Sequence, residues 1–235
     1  MVGETTVRRR RRKTVPEWID LMTTVVPRRT LRVCLPRLVQ MADFGARRVR
    51  WVVHLDNPAP LASRFDSELR DIVALAPLFD DALVLVHPSP VGCNAAFACA
   101  FRACEPGRDV LLIEDDKFAQ HPVRLADIYA LRAPYFNYGR RQARPGGFDT
   151  SWWRADLMDA VRTMLPKCRA NHVLENELKI KLKGDWPKSR RRRTAFPRDT
   201  FVDIGLAALS DYGAVQRKTK GLPVYATEGN THASQ

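Results

Sequence analysis

The chain has 235 residues, of which 45% are apolar, and a formal net charge of +13 at neutral pH. This length and apolar fraction suit one folded domain with a substantial hydrophobic core, which excludes a wholly disordered protein. No apolar run approaches the roughly 18 to 20 residues that span a bilayer, and the first residues lack the apolar segment of a secretory signal. We therefore expect a soluble protein located in the cytoplasm.

The positive charge is concentrated in two runs, "RRRRRK" at 8–13 and "KSRRRR" at 188–193. Clustered arginines neutralise phosphates and release counterions, so these runs favour a nucleic-acid partner. Solvated tails, localisation signals and contacts with an anionic membrane remain alternatives. Residues 1–15 have almost nothing that can pack, and we expect them to form a disordered basic arm. A single domain is expected over 16–215, followed by a C-terminal tail over 216–235.

The first predicted elements are a strand at "IDLMTTVV" (19–26), stopped by Pro27, and a helix at "LRVCLPRLVQMADFG" (31–45) that ends at Gly45. "RVRWVVHLD" (48–56) is typical of a buried strand. An amphipathic helix is expected over 61–79, with its apolar side formed by Leu61, Phe65, Leu69, Ile72, Val73 and Ala76.

"ALVLVH" (82–87) predicts the next strand. After it, Asn94 is expected to cap a helix of small residues at "AAFACAFRAC" (95–104), and "DVLLI" (109–113) predicts a further buried strand. Short apolar strands that alternate with helices indicate an α/β fold, with a mostly parallel sheet covered by helices on both faces.

Ligands of such sheets bind beyond the carboxyl ends of the strands. Three predicted strands end there in polar residues, namely Asp56, His87 and the acids of "LLIEDDKF", which are Glu114, Asp115 and Asp116. We expect these residues to converge on one crevice. Adjacent carboxylates after a buried strand suit Mg²⁺ or Mn²⁺, since both ions prefer oxygen ligands. A solvated turn, or the acidic start of a following helix, is the alternative.

In the second half, "PYFNYGRRQARPGGFDTSWW" (134–153) predicts two short strands around a glycine-rich turn. Helices are expected at "RADLMDAVRTML" (154–165) and at "NHVLENELKIKLK" (171–183), the latter capped by Asn171. The Trp152 and Trp153 side chains either stack on a sugar or base or pack in the core. Five cysteines, an odd number without CxxC pairs, are expected to be reduced core residues.

The stretch "SPVGCNAAFACAFRACEPGRDVLLIEDDKF" (89–118) resembles the central part of the GT-A glycosyltransferases, where a buried strand leads into a DxD-type metal motif. The resemblance implies a Rossmann-like nucleotide-sugar half over about 16–118 and an acceptor half over about 119–215. Glu114 and Asp116 match the metal-binding acids, although Glu replaces the first Asp of the motif. Asp56 matches the acid that contacts the nucleoside, and we assign Pro27, Asn94 and Asp115 to the same donor site.

"VLENELKIKL" (173–182) is similar to the helix that carries the catalytic base of inverting members, and Glu175 falls on that base. Leu174, Leu178 and Leu182 form an apolar stripe on which Glu175 is out of place, whereas Glu177 is further round. Ion pairs of Glu175 and Glu177 with lysines four residues later are the alternative, and they suit Glu177.

Two weaker features complete the resemblance. "TFVDIGLAAL" (200–209) is similar to a "DIG" segment of some bacterial and phage transferases, although Asp203 and Gly205 are equally suited to a strand end. His232 is the candidate for a further metal ligand, as many GT-A enzymes take one from a C-terminal histidine. His87 and His172 are assigned structural or acceptor-side roles, and His54 is expected to be a core residue whose hydrogen bonds are satisfied.

These features together predict a metal-dependent glycosyltransferase with a nucleotide-sugar donor, for which a UDP-sugar is the first choice, and with Mn²⁺ or Mg²⁺. The high charge favours DNA as the acceptor, through segments 8–13 and 188–193. Some phages glycosylate hydroxylated pyrimidines, so we expect a 5-hydroxymethyl-pyrimidine base, flipped from the duplex in the cytoplasm of a bacterial host. Transfer to a lipid-linked saccharide or a protein at an anionic membrane, and a non-enzymatic nucleic-acid binder, remain alternatives.

Overall fold

The computed structural model describes residues 17–87, 89–131, 135–138, 150–167, 174, 177–178 and 200–204. The described strands are β1 (Trp18–Val25), β2 (Ala42–Asp43), β3 (Arg48–Leu55), β4 (Asp81–Val86), β5 (Asp109–Glu114), β6 (Lys117–Ala119), β7 (Val123–Arg124), β8 (Tyr135–Asn137), β9 (Ser151–Trp153) and β10 (Phe201–Asp203). The described helices are α1 (Leu31–Met41), α2 (Phe65–Leu75), α3 (Gly92–Ala103), α4 (Leu125–Ala130) and α5 (Ala155–Met164). Short 3₁₀ segments flank α2 and follow α5.

A six-stranded sheet forms the centre of the molecule, in the order β4-β3-β1-β5-β9-β8. The first four strands are parallel, and β9 and β8 are antiparallel to their neighbours. The protein is therefore an α/β protein with a mixed, mostly parallel sheet flanked by helices, as the alternating pattern predicts. Two small ribbons pair β10 with β6 and β2 with β7.

The strand order reverses between β1 and β5. From β1 the chain crosses to β3 and then to β4, and it returns past β1 to form β5 on the other side. The space beyond the carboxyl ends of β1 and β5 is therefore the topological switch point at which open α/β sheets bind ligands.

Each face of the sheet is covered by its own hydrophobic core. One core contains residues of α1, α2 and α4, and the other contains residues of α3 and α5. Successive side chains of a strand point to opposite faces, so Trp51 and Val53 of β3 lie in the first core and Val52 lies in the second. Burial of both faces explains the consecutive apolar residues at 51–53 in β3 and at 110–113 in β5.

Most predicted elements of the first half are confirmed, with β1, β3, β4 and β5 within about one residue of their expected bounds. The helix expected over 31–45 contains Pro36, but it ends at Met41, and Gly45 lies in the following turn with a positive φ of 61°. The paired strands β8 and β9 and the helix α5 are also present, and no described helix is long and apolar enough to cross a membrane.

Two details of the predicted helices are wrong. Val73 is 60% exposed and does not belong to the buried side of α2, which begins only at Phe65 because the preceding residues form a 3₁₀ segment. Asn94 lies inside α3, after an N-cap at Val91, so it does not cap that helix. Trp152 and Trp153 are fully buried, one in each core, and pack in the interior.

The predicted arm at 1–15, the segment at 188–193 and the tail at 216–235 lie outside the described residues. The division into one domain over 16–215 with donor and acceptor halves stays a prediction. The described cysteines Cys34, Cys99 and Cys104 are free thiols, as expected.

Candidate functional site

Three carboxylates lie where β5 ends, at the switch point of the sheet. Glu114 is the last residue of β5, and Asp115 and Asp116 form the turn into β6. Asp115 is 4% exposed and Asp116 is 7% exposed. The alternative of a solvated turn is therefore wrong for these two residues, and the buried strand delivers the acids to the carboxyl edge as predicted.

A fourth carboxylate reaches the same place from the far end of the chain. β10 pairs antiparallel with β6, which sets Asp203 opposite Lys117. The N–H of Ile204 donates a hydrogen bond of 3.0 Å to the carbonyl oxygen of Asp116. We call Glu114, Asp115, Asp116 and Asp203 the acid cluster. The "DIG" segment thus contributes Asp203 to the site, for which its sequence alone was a weak indication.

Two basic side chains neutralise part of the acid cluster. Arg28, which follows β1, places its Nη1 2.8 Å from Asp116 Oδ2 and 3.9 Å from Asp115 Oδ1. Lys117 Nζ lies 3.0 Å from Glu114 Oε2, 3.3 Å from Asp203 Oδ2 and 3.9 Å from Asp116 Oδ1. Within the described part of the chain, four carboxylates against two cations leave an excess of negative charge when all groups are ionised.

The titration behaviour of the acid cluster follows from burial and crowding. Burial raises the pKa of Asp116, and it raises the pKa of Asp115 well above its usual range, while the Arg28 guanidinium opposes both shifts. Burial lowers the pKa of Lys117, but the neighbouring carboxylates outweigh it and raise that pKa overall. Burial, with added repulsion from the acid cluster, raises the pKa of the Cys34 thiol to about 12.

Asp115 Oδ2 and Asp116 Oδ1 are buried and have no hydrogen-bond partner within the part of the chain that the structure describes. Buried carboxylate oxygens without partners are costly, since desolvation is then not compensated. Oxygen ligands with excess negative charge are what Mg²⁺ or Mn²⁺ requires, so these residues fit a hard divalent cation.

Glu68 supports the loop that carries Arg28, and it is not among the site residues predicted from the sequence. Its side chain is fully buried, and Oε2 accepts a hydrogen bond of 2.7 Å from the N–H of Arg29. Arg29 has a φ of +66°, which is uncommon for a residue with a side chain and needs support from its surroundings. Burial raises the pKa of Glu68 to about 7. The available signal was its spacing, because Glu68 lies three residues after Phe65 and four before Ile72 on the buried side of α2.

Asp56 lies at the carboxyl end of β3 and is 1% exposed. Its Oδ1 accepts a hydrogen bond of 2.9 Å from the N–H of Val91, and its Oδ2 accepts one of 3.1 Å from Gly92. Asp56 thus holds the start of α3 with both oxygens. Asn94 Oδ1 accepts a hydrogen bond of 2.9 Å from the N–H of Leu174, so it ties α3 to the helical residues beyond α5. Pro27 is buried directly before Arg28.

The segment expected to carry the catalytic base is described only in part. Leu174 and Leu178 are buried in the second core, as their stripe predicts. Glu177 is 4% exposed, and its ion pair with Lys181 stays a prediction because Lys181 lies outside the described residues. Glu175 and His232 lie outside the described residues, and their roles stay predictions.

No protein-family model matches the chain, and no curated protein matches it. Among solved structures, the chain is similar to Staphylococcus aureus TarS, with a TM-score of 0.46, 14% identity and coverage of 61% of this chain. A shorter TarS structure gives a TM-score of 0.46 and 12% identity over 60% of this chain. The chain spans 29% and 48% of the length of these two TarS structures.

The chain is also similar to mouse xyloside xylosyltransferase 1, with a TM-score of 0.35 and 10% identity. That match covers 72% of this chain and 76% of the mouse chain. At such identities the likeness concerns the course of the backbone and not the chemistry of the side chains.

Proposed function

We propose that this protein is a metal-dependent glycosyltransferase that moves a sugar from a nucleotide-sugar donor to a hydroxyl group. The observation that carries the proposal is the acid cluster at the switch point between β1 and β5, with Asp115 and Asp116 buried beside Arg28. Ligands of open α/β sheets bind at this edge. A donor diphosphate needs both positive charge and a metal site, and the acid cluster with Arg28 provides for both.

We assign the metal to Glu114 and Asp116, with Mn²⁺ or Mg²⁺ as the ion. The buried Asp116 Oδ1, without a hydrogen-bond partner among the described residues, offers a ligand, and the carboxylate of Asp203 lies in the same cluster. A bound ion would neutralise the donor diphosphate and stabilise the departing nucleotide. We also propose His232 as a further metal ligand. Measuring metal binding to a His232 variant would test this assignment.

Arg28 holds Asp116 through a charge-assisted hydrogen bond, and Lys117 lies 3.9 Å from the other oxygen of that carboxylate. A cation bound to Asp116 would weaken this pair, which frees the guanidinium for the phosphate oxygens of the donor. Pro27 restricts the backbone directly before Arg28, and Glu68 anchors the residue after it. Asp115, Asp56 and Asn94 complete the donor side, where Asp56 sets the start of α3 against the crevice.

The acceptor hydroxyl must lose its proton as it attacks the anomeric carbon, and a positioned carboxylate is a suitable base. Glu175 is our first assignment. Glu177 is a second candidate for the catalytic base because its side chain is buried, and burial shields a carboxyl group from water. Attack in line with the leaving nucleotide would invert the configuration at the anomeric carbon.

For the acceptor, we propose a 5-hydroxymethyl-pyrimidine base in DNA, bound through segments 8–13 and 188–193. A net charge of +13 is unneeded for a small saccharide acceptor but suits the phosphates of a duplex. The enzyme would flip its target base to bring the hydroxyl to the donor. Basic residues that lie on an anionic membrane would instead favour a lipid-linked or protein acceptor.

The test begins with thermal unfolding of the full chain against a panel of nucleotide sugars, with and without Mn²⁺. We expect stabilisation by one class of donor that depends on Mn²⁺, because a ligand that binds only the folded state raises the melting temperature. The stabilising donor is then incubated with duplex DNA containing 5-hydroxymethyl-pyrimidines, and the nucleosides are analysed by mass spectrometry for a hexose adduct.

The two stages separate the two parts of the proposal. DNA binding without any response to nucleotide sugars or Mn²⁺ would leave a non-enzymatic nucleic-acid binder and overturn the enzyme assignment. Transfer to a lipid-linked saccharide or a protein, with none to hydroxymethylated DNA, would keep the glycosyltransferase and overturn the acceptor.

A further inference from the structure

A second cluster of ligating side chains lies on the sheet face that α3 covers. His54 belongs to β3, His87 follows β4 directly, and Cys99 lies in α3. One ligating atom from each residue, a ring nitrogen of each histidine and the sulfur of Cys99, lies within 4.8 Å of the other two. The cluster joins three elements that are distant in sequence, so its assembly depends on the fold.

His54 is a buried side chain whose ring nitrogens have no hydrogen-bond partner among the described residues. Its side chain has no exposed surface, and neither ring nitrogen has a hydrogen-bond partner in the described part of the chain. The expectation that His54 is a core residue is therefore confirmed, whereas the expectation that its hydrogen bonds are satisfied is wrong. The side chain is on this face because His54 follows the alternation of β3 and lies on the same side as Val52. A buried polar side chain that lacks partners carries a desolvation penalty, which binding of a ligand relieves.

His54 is in the protonation state that binds metals. Burial, with a further contribution from His87, lowers the pKa of His54 to about 4, while Asp56 opposes the shift. His54 is accordingly a neutral imidazole at neutral pH, with a lone pair available for a metal. The rings of His54 and His87 are stacked with centroids 4.8 Å apart, and this contact satisfies neither ring nitrogen of His54.

We propose that His54, His87 and Cys99 bind a divalent transition-metal ion, with Zn²⁺ as the best fit. Imidazole and thiolate are the ligands that Zn²⁺ prefers, whereas Mg²⁺ and Mn²⁺ prefer oxygen. Metal–ligand distances of about 2.0 to 2.3 Å require the three side chains to close in by roughly an ångström. The Cys99 thiol loses its proton to solvent when the sulfur binds. Three protein ligands leave a fourth position for water or an exogenous ligand.

The site is distinct from the acid cluster in chemistry and in place. Its ligands come from β3, β4 and α3, whereas the acid cluster extends from β5 and β10. A metal here would tie α3 to the two strands, close to the Asp56 carboxylate that holds the start of that helix. The proposal stands whether or not the protein is a glycosyltransferase.

Cobalt binding to the full chain tests the site, since Co²⁺ replaces Zn²⁺ and its bond to a thiolate gives a charge-transfer band in the near ultraviolet. The protein is stripped with a chelator and titrated with Co²⁺, and Zn²⁺ is then added to displace it. We expect one equivalent of Co²⁺ with a thiolate band, bleached by Zn²⁺. Because the proposed site holds one Zn²⁺, metal analysis of the purified protein should find about one Zn²⁺ per chain.

Variants identify the ligands. Cys99→Ser should remove the thiolate band, and His87→Gln, at a half-buried position, should weaken Co²⁺ binding by at least about tenfold. His54→Gln should do the same. Cys104→Ala replaces a free cysteine that directly follows α3 and is not one of the three proposed ligands, so this variant should keep the thiolate band. Asp116→Asn, in the acid cluster, should keep the band as well.

Thermal unfolding without metal shows that each variant is folded. The absence of a thiolate band from the folded wild-type protein would overturn the proposal. A band that survives Cys99→Ser would do so as well, because the sulfur ligand would then come from another cysteine. Loss of Co²⁺ binding in Asp116→Asn with retention in His87→Gln would place the metal in the acid cluster instead.

Discussion

Arg28 and Asp116 form an ion pair that joins the end of β1 to the end of β5, with Arg28 Nη1 2.8 Å from Asp116 Oδ2. The two side chains are 11% and 10% exposed, so water contributes little to the solvation of either charge. Attraction within such a pair largely offsets the desolvation of its members, whereas removal of one member leaves an uncompensated charge. The stability of the acid cluster therefore depends on which cation is next to Asp116.

Asp116→Asn should abolish the rise in melting temperature that Mn²⁺ causes, because the amide has lost the charge that the ion requires. Without metal, the melting temperature should change little, because the lost attraction to Arg28 is offset by the smaller desolvation cost of the amide, and Asp115, 3.9 Å from Arg28, still compensates the guanidinium. Thermal unfolding with and without Mn²⁺ measures both effects. Asp66→Asn, at an exposed position of α2, is the matched control and should keep the full response to Mn²⁺. An undiminished response in Asp116→Asn would remove this residue from the metal site.

Arg28→Met should destabilise the metal-free protein at neutral pH by about 3 to 5 kcal/mol, because Asp116 is left buried without its partner. Saturating Mn²⁺ should restore part of this loss by replacing the missing positive charge. Chemical denaturation at fixed pH, in Mn²⁺ and in a chelator, gives the two free energies of unfolding.

Arg102→Met, which removes an exposed arginine of α3, should stay within about 0.5 kcal/mol of the wild type. The double variant Arg28→Met/Asp116→Asn should recover most of the loss, because the two residues act on each other. A single Arg28 variant as stable as the wild type in chelator would contradict a structural role for the pair.

Glu68→Gln should flatten part of the dependence of stability on pH. Burial raises the pKa of the Glu68 carboxyl from 4.5 to about 7, so between these values the folded protein holds a proton that the unfolded chain has lost. The free energy of unfolding therefore falls as pH rises through this window, and the penalty is complete above about pH 7. A shift of this size corresponds to a penalty on the order of 3 kcal/mol.

Denaturation of Glu68→Gln and wild type from pH 4 to 8 measures this difference, and Asp66→Asn provides the control at an exposed carboxylate. The amide can still accept the hydrogen bond from the N–H of Arg29, so the loop after β1 should be retained. Identical pH profiles for Glu68→Gln and the wild type would show that Glu68 does not titrate in this range.

Replacement of Arg190, Arg191, Arg192 and Arg193 by alanine should weaken DNA binding and make it less dependent on salt. Each lost phosphate contact reduces the slope of log K against log salt by about 0.9. Fluorescence anisotropy with a labelled duplex across a salt series measures the slope. The control replaces four scattered, exposed arginines, namely Arg32, Arg70, Arg102 and Arg124. Equal slopes for the two variants would argue against 188–193 as a specific contact segment.

The error in the predicted apolar side of α2 has a physical origin. The buried side of α2 is centred on Glu68 and Ile72, but a pattern of apolar residues counts a glutamate as solvent-facing. The apparent apolar side then shifts toward Val73, which is in fact exposed. The Glu68 carboxylate can be buried because it accepts a hydrogen bond from the N–H of Arg29, which lies 39 positions away in the chain. The surroundings of His54 are also not encoded locally, since its neighbours His87 and Cys99 come from the end of β4 and from α3.

The sequence by itself determined the strands of the parallel sheet and the arrival of the acids at its carboxyl edge. Both follow from short-range properties, namely continuous apolar runs covered on two faces and the polar residues that end them. Only the tertiary structure decided which residues meet at that edge. It placed β1 beside β5, so that Arg28 lies against Asp116, and it paired β10 with β6, so that Asp203 joins the acid cluster. Strand order and ribbon pairing depend on how both cores pack over the whole chain, and no local run of residues encodes that outcome.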